Sequence, residues 1–521
     1  MNLSGVSLFG IIVAMVAYLL GMLTIGFLAS RKNETVGDFY LGGRHLGPFV
    51  TAMSAEASDM SSWLLMGLPG LAYLSGISEP VWTAVGLAAG TYVNWLIVAK
   101  RLRRYSLAAD NSITIPQFFS NRFGDKKKVL TLIAALVIII FFIPYTASGF
   151  AAIGKLFSSL FEVDYHLAMI VGAIVIISYT MTGGFIAASF TDLVQSVIMS
   201  IALAVVLFFG INQAGGMGAV MDNAKSLTGQ LSLTLSHVPD PNNMFAAGTS
   251  SPYGFLTIVS TMAWGLGYFG MPHILLRFMA IEDENKLKLS RRIASIWVVI
   301  AMGVAILIGL VGLGMTAAGV IPQLTTAGSA ETIIVSIAHH LSTYGFFPAL
   351  IAGLILSGIM ASTMSTADSQ LLAASSSVSQ DILTGFFGVK LDDKKLLKVA
   401  RASLLVIAVI GVFLAWNPES SVFRIVSFAW AGFGASFGPL VLFSLFWRRT
   451  NRQGALAGMI VGGSMIFIWK FLVRPLGGIL DIYELLPAFI LSSLAIVIVS
   501  LLTKAPDKEV TDVFDQVKAM K

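Results

Sequence analysis

The sequence predicts an all-α polytopic membrane protein of about thirteen spanning helices, ten of them in two five-helix sets of opposite orientation. Three observations predict it. Of 521 residues, 56% are hydrophobic and only 12% charged, against about 25% charged in a soluble domain, and the mean hydropathy is +0.84. Apolar runs of the roughly 20 residues that a bilayer demands recur along the chain. The basic residues gather in alternate short loops, so the formal charge of +6 reads as membrane topology rather than as a nucleic-acid surface. There is no cysteine, which excludes disulfides and thiolate metal sites.

The expected spans lie near 6–28, 48–74, 80–99, 129–154, 166–186, 190–212, 254–276, 293–318, 346–375, 399–416, 423–447, 453–473 and 483–503. Span 1 is too long for a signal-peptide core and no cleavage pattern follows it, so it is expected to be retained. With the N-terminus outside, all but five of the 33 basic residues fall in inner loops or the tail, including Arg31, Lys32, Arg44 and Arg277. The five left outside are Lys155, Lys225, Arg424, Lys470 and Arg474. By the positive-inside rule the N-terminus is expected outside and the C-terminus inside, in the cytoplasmic membrane.

Spans 2–6 and 7–11 make two odd-numbered sets, which places them in opposite orientation as inverted repeats require. The repeats cover about 44–213 and 252–447 of a single transmembrane domain, 1–505. The polar Gly/Asn/Pro-rich stretch 215–251 reads as the outer seam between them, and 506–521 as a loose, charged cytoplasmic tail. The first helix of each set is the irregular one. Span 2 carries Glu56 and Asp59 and ends in Gly67-Leu68-Pro69-Gly70; span 7 reads Trp264-Gly-Leu-Gly-Tyr-Phe-Gly-Met-Pro272. Paired Gly/Pro-interrupted segments at corresponding positions point to a transport site at the bilayer midplane.

A carboxylate inside the membrane costs roughly 2.5–3.5 kcal/mol on insertion scales and is rarely there without a partner or a cation. Asp59 reads either as a cation ligand or as an acid capping a freed helix end. Glu56, three residues earlier on the same face, repels it, so one of the two needs a proton or a partner. On span 9, Ser362, Ser365, Thr366 and Ser369 stand at i, i+3, i+4 and i+7 on one helical face. Hydroxyls and freed carbonyls are hard oxygen ligands for an alkali or alkaline-earth ion. Helix packing enriches the same small residues; the acid-bearing broken helix elsewhere in the chain favours the ion. Trp63, Tyr145, Trp264 and Tyr268, with Gly and Pro beside them, read as walls of a small-molecule pocket.

Other motifs fail. Gly265-Leu-Gly267-Tyr-Phe-Gly270 has the dinucleotide spacing but no βαβ unit around it. There is no phosphate-binding GxxxxGK[ST] loop and no HExxH or zinc spacing; His339 and His340 fall in a polar outer loop. Gly458 and Gly462 read as a helix-packing pair. No catalytic constellation survives, so the chain is not expected to be an enzyme or to need a cofactor beyond a coupling ion.

The sequence resembles the sodium/solute symporter family over nearly its whole length, and within it the bacterial sodium/proline symporters. The resemblance rests on LGGRHLGPFVTAMSAEASDMSSWLLMGLPG, YTMTGGF from Tyr179, WGLGYFGMPHILLRF, LSGIMASTMSTADSQLL, AWAGFGASFGPLVLFSLFWRR and GALAG from Gly454. It implies a fold similar to the LeuT-type transporters, sodium as the coupling ion, and L-proline as solute. It implies a sodium site made by the backbone of Ala57, Met60 and Ser362 and the hydroxyls of Ser365 and Thr366. Asp59 matches the family's acid for sodium-dependent function, and Arg44 an inner-loop arginine tied to coupling. Ser61, Trp63, Tyr145, Trp264, Tyr268 and Pro272 match residues that shape or gate the solute pocket, while Glu56 falls outside the clear pattern. A symporter of another small solute, a proton-coupled carrier using Glu56 or Asp59, and a sensor or channel remain alternatives. Beyond sodium, solute and lipid no partner is expected.

Overall fold

The computed structural model describes residues 3–30, 36–240 and 247–520. Arg31 and Lys32, which entered the charge bias, lie outside them. Among the described residues ten helices are long and apolar enough to cross a membrane, from Gly5–Leu28 to Leu485–Leu502. The three further spans that the sequence predicts, spans 2, 5 and 7, fall short of that measure for visible reasons. Span 2 is a helix Pro48–Asp59, a break, a π-turn Trp63–Gly67 and a helix Leu68–Ser75. Span 7 is a helix Phe255–Met262, a 3-10 stretch Ala263–Phe269 and a helix Pro272–Ala280. Span 5 runs into span 6 within Tyr165–Gln213, bent at Gly184, whose φ of 67° and ψ of −173° a side chain would resist.

Spans 2 and 7 lie antiparallel at the centre of the bundle. Where span 2 begins, Leu46 pairs with Ile281 just past the end of span 7: Leu46 N–H donates to Ala280 O at 3.1 Å and Glu282 N–H to Leu46 O at 3.0 Å. Span 3 closes against span 7 through glycines. A Cβ on Gly90 would stand 2.2 Å from Gly265 O, and one on Gly86 2.3 Å from Met262 O, so only hydrogen fits at either place. The Gly458/Gly462 pair packs two neighbours: a Cβ at Gly458 would meet Ile496 at 2.3 Å, and one at Gly462 would meet Ala435 O at 2.1 Å.

The structure changes four expectations. Arg277 is not a loop base; it is 1% exposed on the second half of span 7 and ion-paired with Asp192. The stretch 215–251 is partly built, with a helix Met217–Ser226 and a hairpin pairing Leu235–Val238 with Thr249–Pro252; residues 241–246 within it lie outside the described residues. His339 and His340 sit on a helix, Ile333–Ser342. The tail folds as well: Lys508–Ala519 is a helix that buries Phe514 and Val517. Arg101 and Arg122 stack on the Phe514 ring at 5.3 and 5.2 Å, and Arg448 holds Asp515 at 2.9 Å. An amphipathic turn with one apolar face finds a partner that composition alone does not reveal.

Candidate functional site

The break in span 2 sits at the middle of the bundle because the chain stops its own helix there. Met60 takes φ −76° and ψ 64°, its N–H still reaching Glu56 O, while Ser61 N–H turns back to Asp59 O at 2.8 Å. The Ala57 carbonyl is thereby left to span 9, and Ser365 Oγ donates to it at 2.8 Å. Ser365 Oγ and Thr366 Oγ1 also lie 3.2 and 3.1 Å from Ser362 O. Four of the five residues in the expected ion site, Ala57, Ser362, Ser365 and Thr366, are thus drawn together, all buried. Met60 stands at the break itself, 0% exposed.

The aromatic residues gather on Asp59. Tyr268 donates its hydroxyl to Asp59 Oδ2, Trp63 Nε1 donates to Asp59 O at 3.1 Å, and Tyr145 OH reaches the same carbonyl at 3.4 Å. The Trp63 and Trp264 rings lie 6.0 Å apart, and Trp264 packs on Phe423 at 4.9 Å and Tyr483 at 5.6 Å. Span 11 fixes the broken turn of span 7 through Trp430, whose Nε1 donates to Trp264 O at 2.7 Å. A Cβ on Gly267 would stand 1.9 Å from that same nitrogen, which is why the turn reads Gly-x-Gly there. Ser61 lies in the gap, its carbonyl accepting from Leu64 N–H at 3.0 Å, and Pro272 is the first residue of the second half-helix, where a missing N–H costs nothing.

Glu56 is 1% exposed, its Oε1 accepting from Trp95 Nε1 at 3.1 Å. Arg44, at the basic end, has φ 61° and follows two glycines of positive φ. Its guanidinium donates to Met279 O at 2.6 Å, Ser106 Oγ at 3.1 Å and Ser112 O at 2.9 Å. It therefore ties the entry to span 2 to spans 3 and 7. Partial burial, with Arg103 adding like charge, pushes its pKa down to about 10.

Sequence reasoning missed the strongest polar cluster. Arg277 donates to Asp192 Oδ2 at 3.1 Å, Ser54 Oγ at 3.1 Å and Ser369 Oγ at 2.6 Å, and Ser54 Oγ donates to Asp192 at 2.6 Å. Asp368 adjoins it, accepting from Ser369 Oγ at 3.3 Å. The group links spans 2, 6, 7 and 9. The available signal was an aspartate inside each of two apolar spans, Asp192 and Asp368.

Comparison with known proteins fits this geometry. The family described as the Sodium:solute symporter family matches residues 39–462. The chain is 42% identical over 502 residues to a sodium/proline symporter of Haemophilus influenzae, covering 96% of each. It is 43% identical over 495 residues to the high-affinity proline transporter PutP of Bacillus subtilis, covering 95% of this chain and 98% of that one. Among solved structures, a Na+-coupled sialic acid symporter superposes with a TM-score of 0.76 at 18% identity, over 96% of this chain and 99% of that one. That likeness fixes the fold, the all-α LeuT-type membrane architecture. By the extent of the family match and the identity of these relatives, the chain belongs to the Sodium:solute symporter family.

Proposed function

We propose that the chain is a sodium-coupled symporter that imports L-proline across the cytoplasmic membrane by alternating access, with its N-terminus outside. It is a transporter and not an enzyme. The observation that carries the reading is the Ser365–Ala57 contact, which joins the break of span 2 to the hydroxyl face of span 9. Proline as solute is supported by relatives above 40% identity that are named for it.

Sodium takes the oxygens of Ala57, Met60, Ser362, Ser365 and Thr366. Binding there turns the Ser365 hydroxyl from donor to ligand and holds span 2 to span 9. Asp59, fixed by Tyr268, couples that event to the pocket formed by Ser61, Trp63, Tyr145, Trp264, Tyr268 and Pro272. Arg44 ties spans 2, 3 and 7 together at the basic end, and its bonds must part for inward release. Coupling needs the loaded carrier to switch more readily than the half-loaded one, which is a difference in affinity between states. The sodium gradient and the membrane potential drive import, the latter worth about 2.3 kcal/mol per charge per 100 mV.

The test is uptake of labelled L-proline into proteoliposomes of the purified protein, with and without an inward sodium gradient. Accumulation above equilibrium only with sodium is expected. Sodium-dependent uptake of another solute but not proline would overturn the pocket assignment, and uptake indifferent to sodium would overturn the coupling.

A further inference from the structure

Span 2 carries a second polar face, turned away from span 9. At about 100° per residue, Glu56 and Asp59 point roughly 100° and 160° round the helix from Ala57, on the same side. Glu56 Oε1 accepts from Trp95 Nε1, but Glu56 Oε2 is buried with no partner. Asp59 Oδ2 accepts from Tyr268, but Asp59 Oδ1 is buried with no partner. Both donors are neutral. Among the described residues no lysine, arginine or histidine forms an ion pair with either acid, and Arg277 is committed to Asp192, Ser54 and Ser369.

Span 3 is built to face them. Thr91 precedes Trp95 by four residues, so the two share a helical face, and Thr91 Oγ1 is buried beside the Tyr268 hydroxyl with no hydrogen bond of normal length. A π-turn, Asn94–Val98, interrupts the helix at Trp95 and helps aim its indole at Glu56; such turns concentrate at functional sites. The Gly90–Gly265 approach brings span 7 alongside, and Asn94 Nδ2 donates to Tyr268 O at 3.0 Å, fixing the residue whose hydroxyl meets Asp59. Two carboxylates and a hydroxyl thus offer unpaired hard oxygens in a place that water-like solvation does not reach.

We propose that this face holds a second monovalent cation, an alkali ion bound between spans 2 and 3 by Glu56 Oε2, Asp59 Oδ1 and Thr91 Oγ1. The inference deepens the sodium-symport reading and rests on it. The identity of the ion comes from the sodium-symport reading, and its single positive charge offsets one of the two buried acids. A second ion would make the sodium gradient enter proline accumulation as its square.

The experiment counts radioactive sodium bound at equilibrium to the purified full chain in nanodiscs, with proline present and choline keeping ionic strength constant. Two ions per chain are expected for the wild type, one for Glu56→Gln, one for the isosteric Thr91→Val, and one for Ser365→Ala with Thr366→Ala. Thr91→Val removes a single oxygen and answers the question if Glu56→Gln does not fold. A full count retained in both Glu56→Gln and Thr91→Val overturns the second site and leaves the span 9 site standing. A full count retained in the span 9 double variant, with one ion lost in Glu56→Gln, overturns the span 9 assignment and supports this one.

Discussion

The two broken helices occupy matching places in the two repeats, yet they are broken differently. Span 2 breaks after a helix that carries Ser54, Glu56 and Asp59, and its freed Ala57 carbonyl is answered by a hydroxyl of span 9. Span 7 breaks with no charge in its gap, in a glycine-spaced 3-10 stretch held by the Trp430 indole. The polar break is suited to an ion and the aromatic break to a small solute. They are joined at three levels: Arg44 to Met279 O at the basic end, Arg277 to Ser54 through the Asp192 cluster, and Tyr268 to Asp59 at the gaps themselves. Two breaks linked in this way cannot move independently, which is what the proposed coupling demands.

The largest expected effect comes from breaking the middle link. Arg277→Met leaves Asp192 buried without its partner and should lower stability by about 3–5 kcal/mol. Thermal unfolding in nanodiscs measures it. Arg277→Met combined with Asp192→Leu should regain more than half of the loss, and a single variant as stable as the wild type would show that the pair does not clamp the spans.

Ser365→Ala with Thr366→Ala attacks the polar break alone. The sodium concentration for half-maximal proline uptake should rise at least tenfold, or roughly 1.4 kcal/mol. An unchanged sodium dependence would remove span 9 from the ion site.

Tyr268→Phe cuts the link between the gaps while keeping the ring. Leaving the buried Asp59 Oδ2 without its donor is worth about 1–3 kcal/mol, so half-saturating sodium should rise roughly fivefold or more. Tyr145→Phe, whose hydroxyl lies 3.4 Å from a backbone carbonyl, should move it far less. Equal shifts in the two variants would place the coupling elsewhere.

The smallest effect should come from the periphery. Asp515→Asn removes an ion pair about half exposed on both sides, where solvent screens most of the attraction. Unfolding temperature and uptake should stay near wild type, whereas Phe514→Ala, which empties the buried side of the same helix, should loosen it measurably by proteolysis of the C-terminal segment.

Much of this site was legible in the chain. Glu56 and Asp59 inside an apolar run, the hydroxyl spacing of Ser362, Ser365 and Thr366, and the glycines around Tyr268 all announced themselves, because a membrane makes each such residue costly or conspicuous. What was not legible depends on partners far away in sequence. Arg277 looks like a loop base beside other basic residues, and only Asp192, 85 positions away, makes it a core residue. Helix 508–519 looks like a solvated tail until Arg101, Arg122 and Arg448 are seen around it.

By itself the sequence determined the class of fold, ten of the expected spans and the interruption of span 7; in span 2 the helix stops at Met60–Ser62 and stays helical through the Gly67-Leu68-Pro69-Gly70 segment that the sequence had marked. Length, hydropathy and glycine or proline content act locally, and a bilayer leaves the backbone no other way to satisfy its hydrogen bonds. Only the tertiary structure decided which polar groups meet. The Ser365–Ala57 contact, the Arg277–Asp192 pair and the bond of Tyr268 to Asp59 each join residues more than 80 positions apart. Their energies depend on distance and burial, quantities that exist once the helices have packed.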